Sequence, residues 1–106
     1  MKLGVIIETN EPEQAWNGVR FCNAALMKGH AVRLFLLSAG VEIERIRDGK
    51  YDMPAALEEF SLNGGRILAC GTCMKARGQG ATDACPLSTM NDCVEMVEWA
   101  DKVITF

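Results

Sequence analysis

Two cysteines three residues apart, Cys70 and Cys73, stand in the segment Cys70-Gly71-Thr72-Cys73-Met74-Lys75-Ala76-Arg77-Gly78, with two basic residues close behind them. A cysteine does its chemistry as the thiolate, which is both a nucleophile and a metal ligand. The pair therefore admits three chemistries. Cys70 can attack a sulfane sulfur and carry it as a persulfide. The two thiols can close a reversible disulfide. With Cys85 in the following loop, they can bind zinc or an iron–sulfur cluster. A zinc site needs four ligands, and the second cysteine pair that usually supplies them is absent, leaving Cys85 and His30 to complete it. No metal and no cofactor is therefore expected.

The elements around the pair favour Cys70 as the nucleophile. Residues 66–70 (RILAC) read as a buried strand, and the Gly-Thr that follows opens a short helix. Cys70 then falls at the carboxyl end of a strand, the edge of an open α/β sheet where ligands bind. Backbone N–H groups at 71–73, with Lys75 and Arg77, would stabilise a thiolate there, so a lowered thiol pKa is expected. Cys22 and Cys93 fall on apolar helix faces and read as small core residues.

The rest of the chain supplies the sheet. Residues 2–8 (KLGVIIE) and 31–37 (AVRLFLL) are continuous apolar runs, as strands buried on both faces require, and 102–106 (KVITF) reads as a last strand. Between them, Pro12 and the acidic residues beside it open a helix to about Lys28. Its Ala15, Val19, Cys22 and Leu26 share one face. A helical stretch is expected near 41–47 and another over 53–62. In the last helix Met90, Cys93, Val97 and Ala100 recur at helical spacing behind a capping box at 89–92. A very short strand is expected around 82–85. Glu8 and Asn10 follow the first strand and read as caps of the next helix. Trp16 and Trp99 lie on amphipathic helices and read as packing or subunit-contact residues. The order implies right-handed crossovers and an α/β fold, a three-layer α/β/α sandwich with a mostly parallel sheet, in one domain over 1–106.

Composition narrows the function classes. The chain has 106 residues, 49% apolar and 24% charged, with a net charge of −3. That balance suits a folded domain. The 11 basic residues are scattered, which provides no footprint for nucleic acid or an anionic membrane. No apolar run approaches the ~20 residues that cross a bilayer, and no signal peptide is visible. Five cysteines are an odd number for a disulfide framework, so reduced thiols in the cytoplasm are expected.

The segment from Cys70 to Gly78 resembles the active-site segment of the DsrE/DsrF-like (DsrEFH/TusD-like) sulfurtransferase family, in which a strand-ending cysteine precedes a short helix closing in Arg-Gly. The similarity extends through Lys28-Gly29-His30, the strand at 32–37 with Ala39-Gly40-Val41, and the closing stretch at 100–106. The resemblance implies a five-stranded parallel sheet and Cys70 as the sulfur-accepting cysteine. It also implies sulfur donor and acceptor proteins as partners, and a homo-oligomer such as a trimer or hexamer. Cys73 departs from the pattern, since sulfur-relay members carry a small residue there; it is kept beside Cys70 as a catalytic candidate that would resolve, relay or bind metal. The expected function is a sulfur carrier or sulfurtransferase. The alternatives are a metal- or iron–sulfur-binding module and a thiol–disulfide switch.

Overall fold

The structure, a computed structural model, describes residues 1–83 and 85–106. Five parallel strands, β1 (Lys2–Ile7), β2 (Ala31–Leu36), β3 (Arg66–Cys70), β4 (Leu87–Ser88) and β5 (Lys102–Thr105), form one sheet in the order β4-β3-β2-β1-β5. The helices are α1 (Pro12–Met27), α2 (Met53–Leu62), α3 (Gly71–Ala76) and α4 (Met90–Trp99), with a 3-10 helix at Ser38–Arg45.

The connectivity fixes the layers. The chain steps outward from β1 to β4 and then returns past β1 to place β5 on its far side. Parallel crossovers are right-handed, so reversing the direction of travel reverses the face on which the helix lands. Helices α1 and α2 accordingly lie together on one face, where Asn23 donates to the Ala56 carbonyl at 3.1 Å. Helix α4 covers the other face and comes close to β1, since a Cβ on Gly4 would meet Met96 and Ala100 at 3.3 Å. The α1/α2 face is filled from the sheet by Val5, Ile7, Leu34 and Leu36, all fully buried. No helix is long and apolar enough to cross a membrane among the described residues.

Several expectations shift in detail. The stretch expected near 41–47 is a 3-10 helix that begins earlier, at Ser38. The short strand expected around 82–85 is formed instead by Leu87–Ser88, where Pro86 accepts from Ala69 N–H and leads the chain alongside β3. Ala84, within that expected span, lies outside the described residues. On α4 the inward face carries Cys93 and Met96, whereas Met90 and Val97 are exposed. The capping box does form, between Thr89 and Asp92. The cap of α1 is Glu11, whose carboxylate accepts from Glu13 and Gln14 N–H, and neither Glu8 nor Asn10 plays that part.

Cys22 lies fully buried on α1, and burial pushes its thiol up to about 12. A thiol whose pKa is raised by folding stabilises the native state fully below the ordinary thiol value of about 8.5, and that stabilisation is lost as pH rises toward about 12. Cys22→Ala is expected to cost about 1–3 kcal/mol at neutral pH. It should also flatten the loss of stability above pH ~8.5. Urea denaturation of both proteins across that range checks both.

Candidate functional site

The carboxyl ends of β1, β2 and β3 lie side by side, with Ile7 paired to Leu36 and Leu36 to Ala69. Cys70 is the next residue. It ends β3 in an extended conformation (φ −60°, ψ 113°) and stands at the N-cap of α3, where its thiol caps no backbone N–H. Alternation along the strand puts Cys70 on the same side as Leu68, which pairs with Phe35, and so on the α4 face. There its charge reaches Cys93, whose thiol is raised first by burial and then by Cys70. Cys93 is buried, as its helix face implied. It also borders Cys70, which a one-dimensional reading of helix periodicity does not reveal. Cys22 lies on the opposite face of the sheet.

Cys73 stands one turn further on and is half-buried. Its sulfur accepts a hydrogen bond from the Ser38 backbone N–H at 3.3 Å. Burial raises its thiol most, and a hydrogen bond with Cys70 and the Cys70 charge raise it further. The Ser38 N–H and the Arg77 guanidinium oppose the rise. Because part of the rise comes from Cys70, Cys70→Ala should let Cys73 alkylate at lower pH than in the wild type. Iodoacetamide labelling across pH, resolved by peptide mass spectrometry, reads this directly; an unchanged or upward-shifted Cys73 profile would show that the two thiols do not communicate.

A polar strap runs along the rim beside the pair. Arg77 Nε meets Glu42 Oε1 at 3.0 Å, and Asn10 Nδ2 donates to Glu42 Oε2 at 2.9 Å. Arg77 also donates from Nη1 to the Cys73 carbonyl at 3.2 Å. The segments that follow β1, β2 and β3 are thereby joined through one carboxylate. The Asn10 hydrogen bond, with help from Arg77, holds the Glu42 carboxyl below its usual range. Buried Gln79 adds a tie, donating from Nε2 to the Val41 carbonyl at 2.7 Å. Sequence reading singled out Asn10 and Arg77 but neither Glu42 nor Gln79, whose partners come from other strand ends. Lys75 is exposed.

The third and fourth ligands of a metal site do not assemble. Cys85 is fully buried, and its thiol is pushed up to about 12 by burial and by a hydrogen bond to Glu44. Thr82 fixes that arrangement, donating to Glu44 at 2.7 Å and accepting from Cys85 N–H at 3.1 Å. His30 precedes β2, at the opposite end of the sheet, where its Nδ1 lies 2.7 Å from the Met1 amino group. Among the described residues no three His, Cys, Asp or Glu side chains form a group that could hold a metal ion. The tryptophans pack as expected of them. Trp16 lies against Tyr51, and the Arg33 guanidinium stacks 4.0 Å from the centre of the Trp99 ring.

Comparison with known proteins agrees with this architecture. Over its whole length the chain is similar to the ychN protein from E. coli, with a TM-score of 0.84, 26% identity and full coverage of both chains. A conserved protein of unknown function from Bacteroides thetaiotaomicron has the same fold, with a TM-score of 0.79 at 18% identity over 99% of this chain and 94% of that one. Two uncharacterized archaeal proteins are each 35% identical. One, from Methanocaldococcus jannaschii, is covered in full along with this chain; the other, from Methanopyrus kandleri, aligns over 89% of this chain and 83% of its own. The match to the DsrE/DsrF-like family spans residues 1–106. With its five-stranded parallel sheet and a cysteine closing the third strand, this chain belongs to the DsrE/DsrF-like family.

Proposed function

We propose that the protein is a sulfur carrier that accepts sulfane sulfur on Cys70 and passes it to the thiol of a partner protein. The observation that carries this reading is the position of Cys70 at the ligand-bearing end of β3, its thiol not spent on capping and a second thiol one turn away. Loading needs no cofactor. The Cys70 thiolate attacks the outer sulfur of a persulfide donor, a new S–S bond forms, the donor's S–S bond breaks, and the donor leaves as a thiolate. Transfer onward repeats the exchange with the acceptor thiol as nucleophile. All five cysteines are unpaired, which suits a reducing, cytoplasmic setting.

The test is brief exposure to inorganic polysulfide, removal of the excess, and treatment with cyanide, which takes sulfane sulfur as thiocyanate. One thiocyanate per chain is expected, counted in the Cys73→Ser variant so that the neighbouring thiol cannot displace the sulfur first. None above a thiol-blocked control would refute the carrier reading.

A homo-oligomer forms part of the same proposal. Met90, Val94 and Val97 make an exposed apolar stripe along α4. Light scattering should find an assembly at micromolar concentration, and a monomer throughout would contradict it.

A further inference from the structure

We propose that Cys73 is a resolving thiol, which attacks a persulfide on Cys70 when no acceptor is present and expels the sulfane sulfur as hydrosulfide. The inference rests on the carrier reading of Cys70 and adds a second activity, persulfide reduction, to the same site.

The geometry of the pair comes first. Cys70 is the N-cap of α3 and Cys73 lies in its first turn, with the two thiols within reach of a hydrogen bond. A disulfide needs Cβ atoms about 3.5–4.5 Å apart. Cys70 is extended rather than helical, so the pair is not held at a helical spacing, and closing the disulfide asks the two side chains to turn toward each other.

Ser38 supplies the second argument. It is the chain's one non-glycine residue with positive φ among the described residues, at 55°, a conformation that L-residues other than asparagine and aspartate rarely adopt. Its neighbour Leu37 continues the sheet by donating to the Ile7 carbonyl at 3.0 Å. At Ser38 the backbone turns away, and its N–H goes to the Cys73 sulfur. Burial and Cys70 leave the Cys73 thiol raised on balance, and the hydrogen bond from Ser38 N–H, with the Arg77 guanidinium, works against that rise and toward the thiolate. The local backbone is thus bent toward Cys73, the thiol that need not carry sulfur in the simple transfer scheme. The remaining cysteines are worse placed for the role. Cys93 meets Cys70 only through its charge, whereas Cys73 also hydrogen-bonds to it; Cys85 is held by Glu44, and Cys22 lies across the sheet.

The step balances without an outside oxidant. Cys73 gives its proton to solvent, and its thiolate attacks Sγ of Cys70. The Cys73–Cys70 bond forms, the bond between Cys70 and the sulfane sulfur breaks, and hydrosulfide leaves and takes up a proton. The sulfane sulfur is reduced while the two cysteine sulfurs are oxidised to a disulfide. A second turnover then requires a dithiol reductant.

The experiment compares wild type with Cys73→Ser and Cys73→Ala, each loaded with inorganic polysulfide, freed of excess and left without acceptor. Wild type is expected to release one sulfide per chain and to end two hydrogens lighter than the reduced protein, with Cys70 joined to Cys73. Both variants should keep the added sulfur and release no sulfide. Wild type that retains its sulfur as long as the variants do, or a disulfide that joins Cys70 to Cys93, would overturn the resolving role. Variants that never take up sulfur would overturn the carrier reading beneath it.

Discussion

Cys70→Ser is expected to lower sulfur transfer by at least about three orders of magnitude, the scale on which removal of a nucleophile acts. Serine keeps the size of the side chain and removes the one atom that can form a persulfide. The position is 4% exposed and sits at the edge of the sheet rather than at its centre, so the fold should survive the exchange. Cys22→Ala is the matched control. It removes a thiol from the opposite face, costs stability, and should leave transfer at the wild-type rate. Initial rates of transfer from polysulfide to an acceptor thiol, with denaturation curves for each protein, separate the two effects. Residual transfer by Cys70→Ser within tenfold of wild type would place the nucleophile elsewhere.

The second large effect is structural. A Cβ on Gly40 would collide with the carbonyl oxygen of Ile7 and crowd the Glu8 nitrogen at 3.2 Å. These are backbone atoms at the end of β1, fixed by the hydrogen bond from Leu37 N–H to the same Ile7 carbonyl. Neither side can yield by rotating a side chain. Gly40→Ala should therefore cost at least about 3 kcal/mol, the upper end of what overpacking does, and disturb Ser38 and Glu42 nearby. A shift in the urea midpoint measures it. A loss below about 0.5 kcal/mol, the range of an ordinary surface substitution, would show that the ends of β1 and β2 are not packed as described.

How far the sequence could be read depended on how local each signal was. The runs at 2–8, 31–37 and 66–70 are short, apolar and bounded by turn residues, so burial on both faces was visible in them. The helix at Met53–Leu62 carries its proline in the first turn and Asn-Gly behind it, and its ends fall where those residues imply. Position 70 was legible for the same reason, as the last residue of such a run. The strap at the rim was not. Glu42 pairs with residues 32 and 35 positions away, and nothing in its neighbourhood marks it. Val97 was misplaced because α4 is short and covers the sheet alone, so a stripe that looks like a core face points to solvent. The two-residue β4 has too little length to show a period, and Pro86 shifts it beyond the polar loop.

The most direct measurement is the location of the sulfur itself. The Cys73→Ser variant is exposed to inorganic polysulfide, trapped with iodoacetamide and digested, and each cysteine-containing peptide is fragmented to assign the extra sulfur. One sulfur on Cys70, lost on treatment with a reducing dithiol, is the expected result. Sulfur on Cys22, Cys85 or Cys93 with Cys70 bare, or no added sulfur on any of them, would contradict the assignment of Cys70 as the carrier.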